Sequence, residues 1–553
     1  LLTGHKIIGS GRCSVGAKSP LTGACGEAEA GGMWGVELRR AGYDGIIIEG
    51  RAKKPVYLWI HDDRVELRDA GKIWGAEVGV ASAWFQNDIG QKKYRTALIG
   101  PSGEKMVRFA NIMADCSHAF GRCGLGAVMG SKNLKGVVVK GSQRPTAADN
   151  EQILALNRIM KGRYKSTPFV PYGTGAAVDA FEAVGNLPIR NYSGGKFPNV
   201  DKISAVTLME QYGVAMEGCF NCPIRCKKKI KLTDAPWPVD TIYGGPEYET
   251  LAAFGSNLLI DDLPAICKAH EICNRYGIDT ISTGATVAFA MECFEKGLLS
   301  PEDVGGLQLN FGNAPAMVEL VEQIARRQGF GDILAQGSKK AAEIIGRNSI
   351  EYAMQIKGLE IPFHEPRLNQ GLSIHYSIHA IGPDHVSGLI DNVLVGQLDN
   401  WDRIDRAEEL PPTELSSRKT RMEYELGLYR GLFNYLGICA FMPWNITDLR
   451  AAVEAVAGWP VTSWKLIKAV KRGITLMRIF NLREGFSHAD DRLPERFHAA
   501  RAEGPLKDVR VDPDDHQEAK ELYYQMMGWN SAGVPTRACL VALDIEWAAE
   551  FLM

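Results

Sequence analysis

No stretch of this 553-residue sequence runs apolar for the ~18 residues a membrane helix needs. The best candidate, GATVAFAMECF at 284–294, is short and follows a polar turn, so no membrane span is expected. Basic residues are not in surplus, with 63 Lys and Arg against 65 Asp and Glu, and nothing global calls for nucleic acid. Twelve cysteines are too few over this length for a disulfide-built secreted scaffold. Their clustering points instead to metal ligation in a reducing compartment, the cytoplasm. Neither a P-loop nor a complete dinucleotide fingerprint of strand, G-x-G-x-x-G and helix is found. The chain opens on LLTGHKIIGSGRC, without an initiator Met or the layout of a signal peptide, and a missing leading segment is expected.

The length suggests about three domains. Glycine, by contrast, is plentiful: 59 residues, more than usual, as where backbone must approach a ligand closely. Up to about residue 145 the chain alternates Gly-rich turns with strand-like runs such as YDGIIIEG (43–50) and LKGVVVKG (134–141). After the polar boundary SQRPTAADNEQ (142–152) the period becomes helical. The class is α+β: a β-rich first domain, then mainly helical ones.

Residues 217–230, EGCFNCPIRCKKKI, place Cys219, Cys222 and Cys226 in a C-x2-C-x3-C array. Pro223 keeps the segment from continuing as helix. Three thiolates near one another suit a [4Fe-4S] cluster, which commonly takes its fourth from far away. A zinc site and unliganded core cysteines are the alternatives. The candidate fourth ligand is Cys439, which ends one of two matching turns. CNRYGID reaches Asp279 and FNYLGIC reaches Cys439, each reading Asn-x-x-Gly-Ile and then a potential ligand or cap. In each, the Gly suits a left-handed helix C-cap. Lys227, Lys228 and Lys229 behind the cysteines are a solvated face, or a charge that raises a cluster's potential or guides an acidic electron carrier.

Two glycine-dense loops, EAEAGGMWGVELRRAGYDG (27–45) and FGRCGLGAVMGSKNLKG (120–136), expose successive backbone N–H groups. Arg12 and Arg122 add planar forks suited to phosphate oxygens, although simple β-turn glycines give the same composition.

Laid along one chain, these features resemble the tungsten-containing aldehyde ferredoxin oxidoreductase family. The similarity runs through SPLTGACGEAEAGGMWGVELRRAGYDGIIIEG, GRCGLGAVMGSKNLKGVVVKG, GCFNCPIRC, GGPEYETLAAFGSN, GPDHVSG, NLREGFSHADDRLPERF and MGWNSAGVPTR, nearly the whole length. The resemblance implies a β-sandwich-like base domain (1–147) closed over by two helical domains (148–353 and 354–553). It implies tungsten, less often molybdenum, held by two pterins whose phosphates Mg²⁺ bridges, with a [4Fe-4S] cluster close by. Cys219, Cys222, Cys226 and Cys439 then look like cluster ligands. Arg12, Gly31, Gly32, Arg122, Cys123 and Gly124 fall in pterin- and phosphate-binding blocks. Asn274, Gly277 and Asp279, and Asn434, Gly437, Ile438 and Cys439, resemble the two pterin clasps. Three departures stand out: Asn274 and Asn434 head the clasps where Asp is common, Cys123 replaces a usual Gly, and Glu29 lies where a small amide is expected.

The implied reaction turns an aldehyde and water into a carboxylic acid. Glu249 in GPEYET and His385 in GPDHVSG match the ionisable residues beside the metal, with Glu247 two positions away as the competing carboxylate. His364, His375 and His379 carry no assigned role. The electron acceptor is expected to be ferredoxin or an iron–sulfur partner subunit, in a homodimer or hetero-oligomer. The alternative is the tungsten subunit of an aromatic acyl-CoA reductase of the benzoyl-CoA type.

Overall fold

The computed structural model describes residues 1–552 apart from 91–92, 165–168, 234–235, 389 and 395–408. A sheet-rich N-terminal region precedes a mostly helical remainder. Strands β1 (Cys13–Lys18) and β2 (Cys25–Ala30) form an antiparallel hairpin. Beside it stands a six-stranded sheet built from β3 (Val56–His61), β4 (Arg64–Asp69), β5 (Arg95–Leu98), β6 (Ile112–Ala114), β7 (His118–Phe120) and β8 (Leu134–Lys140), in the order β4-β3-β8-β5-β6-β7. Only the β3–β8 pairing is parallel.

Burial explains the strand placement. β8 is an almost continuous apolar run, buried along nearly its whole length, and lies inside the sheet. β4 alternates Arg64, Glu66 and Arg68 at the exposed edge, where charge deters pairing with another chain. The change of period near residue 145 is real: Asp149 accepts a hydrogen bond from Gln152 N at 2.9 Å and starts the helix Asn150–Arg163.

Two apolar cores tie the helices to the sheet region. One joins Phe109, Ile112 and Phe120 to the helices Leu263–Tyr276 and Thr280–Glu295. The second of these carries the apolar stretch 284–294, a buried core helix, and no described helix is long and apolar enough to cross a membrane. The other core joins Leu2, Ile7 and Ile8 to Leu432, Phe433, Leu436 and Ile438 at the end of the helix Ser417–Leu436. Two different helical segments are therefore fastened to one base, each next to a Gly-Ile turn.

Candidate active site and metal centres

Both turns have the expected build. Gly277 (φ +77°) and Gly437 (φ +72°) take the left-handed conformation that ends a helix. Ile278 N then donates to Cys273 O (2.9 Å), and Ile438 N to Phe433 O (3.0 Å). The following residue bonds to the N-terminal region in each case: Asp279 N to Phe109 O, and Cys439 N to Gly9 O, both 3.0 Å. A Cβ on Gly277 would fall 2.9 Å from Gly100 N, and one on Gly437 2.4 Å from Thr3 Oγ1. Glycine is what lets each turn dock this closely.

The same docking assembles the four sulfurs. Gly9 N donates to Asn221 O (3.0 Å) in the cysteine loop while Gly9 O accepts from Cys439, and Phe220 N donates to Gly32 O (3.1 Å). A Cβ on Gly31 would lie 2.6 Å from Cys219 Sγ, so this glycine abuts the cysteine site. Cys439 is within electrostatic reach of Cys222 and Cys219, and Cys226 of Cys439 and Cys219. Burial raises the thiol pKa values of Cys222, Cys226 and Cys439, the last to about 11 although Arg12 pulls it down. Buried thiols become thiolates when a cationic centre compensates them. Around one zinc ion four sulfurs would stand roughly 3.8 Å apart. Among the described residues, the groups of three or more ligand-type atoms within 4.8 Å of one another do not include these cysteines. A cluster in which each thiolate binds its own iron fits the wider spacing, and the residues present fit a [4Fe-4S] group.

The lysines behind the array do not form a free basic surface. Lys228 is buried with its Nζ 3.1 Å from Glu247, Lys227 is 3.3 Å from the same carboxylate, and Lys229 pairs with Glu217 at 2.6 Å. Strand β10 (Lys227–Ile230), paired with β9 (Gly213–Glu217), turns Lys228 inward. Lys228 is thereby withdrawn from the solvated face, whereas Lys227 and Lys229 stay half-buried, each paired with a carboxylate.

This pairing also separates the two glutamates. Burial alone would raise the Glu247 pKa, but Lys228 and Lys227, with a 2.6 Å bond from Thr174 Oγ1, hold it well below the ordinary range. Glu249, on the helix Tyr248–Phe254, has the opposite environment. Burial raises its pKa, opposed mainly by His385. Its Oε2 accepts from Phe363 N at 2.9 Å. Its Oε1 is shut off from solvent without a hydrogen-bond partner, 3.4 Å from His364 Nε2 and 3.6 Å from His385 Nε2.

His385 is presented by a tight turn. Gly382 (φ +102°) and Pro383 redirect the chain, and Asp384 accepts from Val386 N (3.1 Å) and Ser387 N (2.8 Å). The Nδ1 of His385 is another buried, partnerless atom. Tyr376 adds a third: its hydroxyl is unpartnered, within electrostatic reach of Glu249, Asp384 and Arg122. His364 and Tyr376 were not assigned from sequence; the only hint was their place in FHEPRLNQGLSIHYSIHAIG, just before the catalytic turn.

The arginines and glycine loops surround these groups. Arg122 Nε is 3.4 Å from Asp279, its Nη1 donates to Pro383 O (3.0 Å), and its Nη2 to Glu360 O. Cys123 takes φ +67° and Gly124 φ +73°, where a Cβ on Gly124 would collide with Arg108 O. The usual Gly at position 123 is thus replaced by a residue held in a glycine-like conformation. Arg12 Nε lies 2.9 Å from Glu29, whose other oxygen is buried and unpartnered. A cavity of about 390 Å³ opens beside Arg12, Asn434 and Gly437, a volume that suits a small organic ligand. Asn274 differs from Asn434. Its amide nitrogen donates to Tyr243 O (2.8 Å), and the side chain is buried against His270, so it holds the turn from inside. Orphaned buried polar atoms together with glycines that admit no side chain suit a large polar cofactor, as a pterin pair requires.

The chain matches known proteins along nearly its whole length. The family described as aldehyde ferredoxin oxidoreductase, N-terminal domain, matches residues 1–141, and that described as its domains 2 and 3 matches residues 154–545. The chain is 36% identical to the tungsten-containing aldehyde ferredoxin oxidoreductase of Pyrococcus furiosus, covering 100% of this chain and 89% of that protein. Identity to the protein of the same description from Thermococcus kodakarensis is also 36%, with the same coverage. Among solved structures, the active-site complex BamBC of benzoyl coenzyme A reductase with 1,5-dienoyl-CoA superposes with a TM-score of 0.84. That match has 26% identity and covers 99% of this chain and 88% of that one.

Proposed function

Since the chain belongs to the aldehyde ferredoxin oxidoreductase family of tungsten enzymes, we propose that it oxidises aldehydes: RCHO and water give RCOOH, two protons and two electrons. Its cofactors are a tungsten pterin and an iron–sulfur cluster. We assign the cluster to Cys219, Cys222, Cys226 and Cys439. The pterins and their phosphates go to Arg12, Gly31, Gly32, Arg122, Cys123 and Gly124 with the turns Gly277–Asp279 and Asn434–Ile438, and Mg²⁺ would bridge the phosphates. Bound there, tungsten supplies an electrophile and a two-electron sink, and the cluster an outlet to ferredoxin or an iron–sulfur partner subunit in the cytoplasm.

The chain's own contribution is proton handling and orientation. Glu249 Oε1, buried and without a hydrogen-bond partner between His364 and His385, is the observation that supports this most. As a carboxylate with a raised pKa it accepts the proton of the attacking water. His385 Nε2 holds the substrate oxygen, and the Tyr376 hydroxyl is a further donor. Low exposure around these groups keeps bulk water from competing.

The test is anaerobic holoenzyme assayed with benzaldehyde, acetaldehyde and a viologen dye. Glu249→Gln is expected to lower kcat/KM by about 10²–10⁴ and to remove an acid limb lying above the ordinary glutamate pKa of ~4.3. Unchanged turnover in that variant would sink the assignment. A second reading, an aromatic acyl-CoA reductase subunit, draws on the structural likeness to the benzoyl coenzyme A reductase complex. Fully tungsten-loaded protein that ignores aldehydes but turns over an aromatic CoA thioester would favour it.

A further inference from the structure

On the other side of Asp384 from the catalytic groups lies a second set of ligand-type side chains. The helix Gln370–Ile378 carries His375, and His379 follows one turn on, with the two rings stacked at 4.7 Å between centroids. One ligand atom each from His375, His379 and Asp384 lies within 4.8 Å of the other two. Glu423, on the helix Ser417–Leu436 and fully buried, stands 2.9 Å from His375 Nδ1. The Nε2 of His375 lies 3.2 Å from Ser387 Oγ, which in turn donates to Asp384. His379 Nδ1 is shut off from solvent and has no hydrogen-bond partner.

We propose that His375, His379 and Asp384 form a mononuclear site for a divalent first-row metal ion, separate from the pterin metal and the cluster, with Glu423 as the positioning residue of His375. Two imidazoles and a carboxylate suit Zn²⁺ or Fe²⁺. A carboxylate behind a ligating histidine is the usual second layer of such sites. Charge points the same way. Glu423 is a fully buried carboxylate and Asp384 a half-buried one. The site stands whether or not the aldehyde reaction is the right one.

The probe is Zn²⁺. Anaerobic holoenzyme is passed over a chelating resin, supplied with Zn²⁺, analysed for metals, and crystallised for anomalous difference maps on either side of the zinc edge. The expected result is one retained zinc per chain, with a peak roughly 2.0–2.2 Å from nitrogens of His375 and His379 and an oxygen of Asp384. His379→Gln should lose that equivalent while tungsten and cluster iron stay. Glu423→Gln should hold it about 10- to 100-fold more weakly. Absence of the peak in the wild type, or undiminished zinc in His379→Gln, overturns the proposal. If the variant does not fold, the wild-type map decides alone.

Discussion

Asp279 and Cys439 occupy the same place in two turns of the same build, yet their side chains meet different surroundings. Each follows a helix, a left-handed glycine and a buried isoleucine, and each bonds its backbone N–H to an N-terminal carbonyl. Asp279 then caps the helix Thr280–Glu295, its oxygens accepting from Ile281 N (3.0 Å) and Ser282 N (3.2 Å), and faces Arg122. Cys439 caps nothing comparable; it joins three other thiols and lies within electrostatic reach of Arg12. One backbone device, used twice, presents a helix-capping carboxylate in one copy and a thiol among three others in the second.

The largest expected effect breaks this comparison directly. Cys439→Ala should abolish the cluster's electron paramagnetic resonance signal, and Asp279→Ala should leave it intact. An unchanged cluster in Cys439→Ala refutes the choice of fourth ligand. Loss in both variants would mean that the turns hold the cluster through shape rather than through the sulfur.

Next in size are the glycines. An alanine forced into the left-handed region costs about 1–2 kcal/mol before any crowding. Crowding should then distinguish the two copies: the new Cβ at 277 comes within 2.9 Å of the backbone of Gly100, whereas at 437 the nearest backbone atom, Arg12 O, is 3.1 Å away and the closest contact is the Thr3 hydroxyl, which can turn away at the cost of its bond to Arg12 O. Gly277→Ala is therefore expected to lower the unfolding midpoint more than Gly437→Ala, by anaerobic thermal melts. The reverse order would show that the packing around Thr3 is the more rigid.

Glu249 offers a stability signature with a definite sign. Its folded-state pKa is raised, so the native state binds this proton more tightly than the unfolded chain does, and stability falls as pH rises through that pKa. Glu249→Gln removes this cost, so the variant should melt higher than the wild type at neutral pH and lose the difference under acidic conditions. A variant that melts lower at pH 7 would contradict a strained, buried carboxylate. Glu247, held by Lys227 and Lys228, behaves oppositely. Its ion pairs add stability above the ordinary carboxylate pKa, and Glu247→Gln should destabilise at neutral pH.

What the sequence made legible was local. The cysteine array, the two Gly-Ile turns and the change of period at residue 145 are encoded within a few residues each, and the structure contains all three. What stayed hidden depends on distant partners. Gly9 and Gly32 join the cysteine loop to Cys439 through backbone bonds that no side-chain pattern announces. Glu247 and Glu249 are alike in sequence and become distinct only once β10 brings Lys228 inward. The same fold removes Lys228 from the surface where its sequence run suggested it would lie. Asn274 and Asn434 match in sequence too, but Tyr243 and His270 pack against the first alone.

The smallest expected effect concerns the cap that separates the two turns. Asp279→Asn keeps an oxygen for the N–H groups of Ile281 and Ser282 but removes the charge facing Arg122; Asp279→Ala removes both. Loss of a capping side chain costs about 1 kcal/mol. If capping is the main role, Asn should retain most of the stability and Ala should lose that amount. If holding Arg122 matters more, Asn should fall with Ala and tungsten content should drop in both, because Arg122 also fastens Pro383 and Glu360 around the same groups. Melting curves read against tungsten analysis separate these cases, and with them the question of whether the Asp279 turn is a clasp for the cofactor or the anchor of a helix.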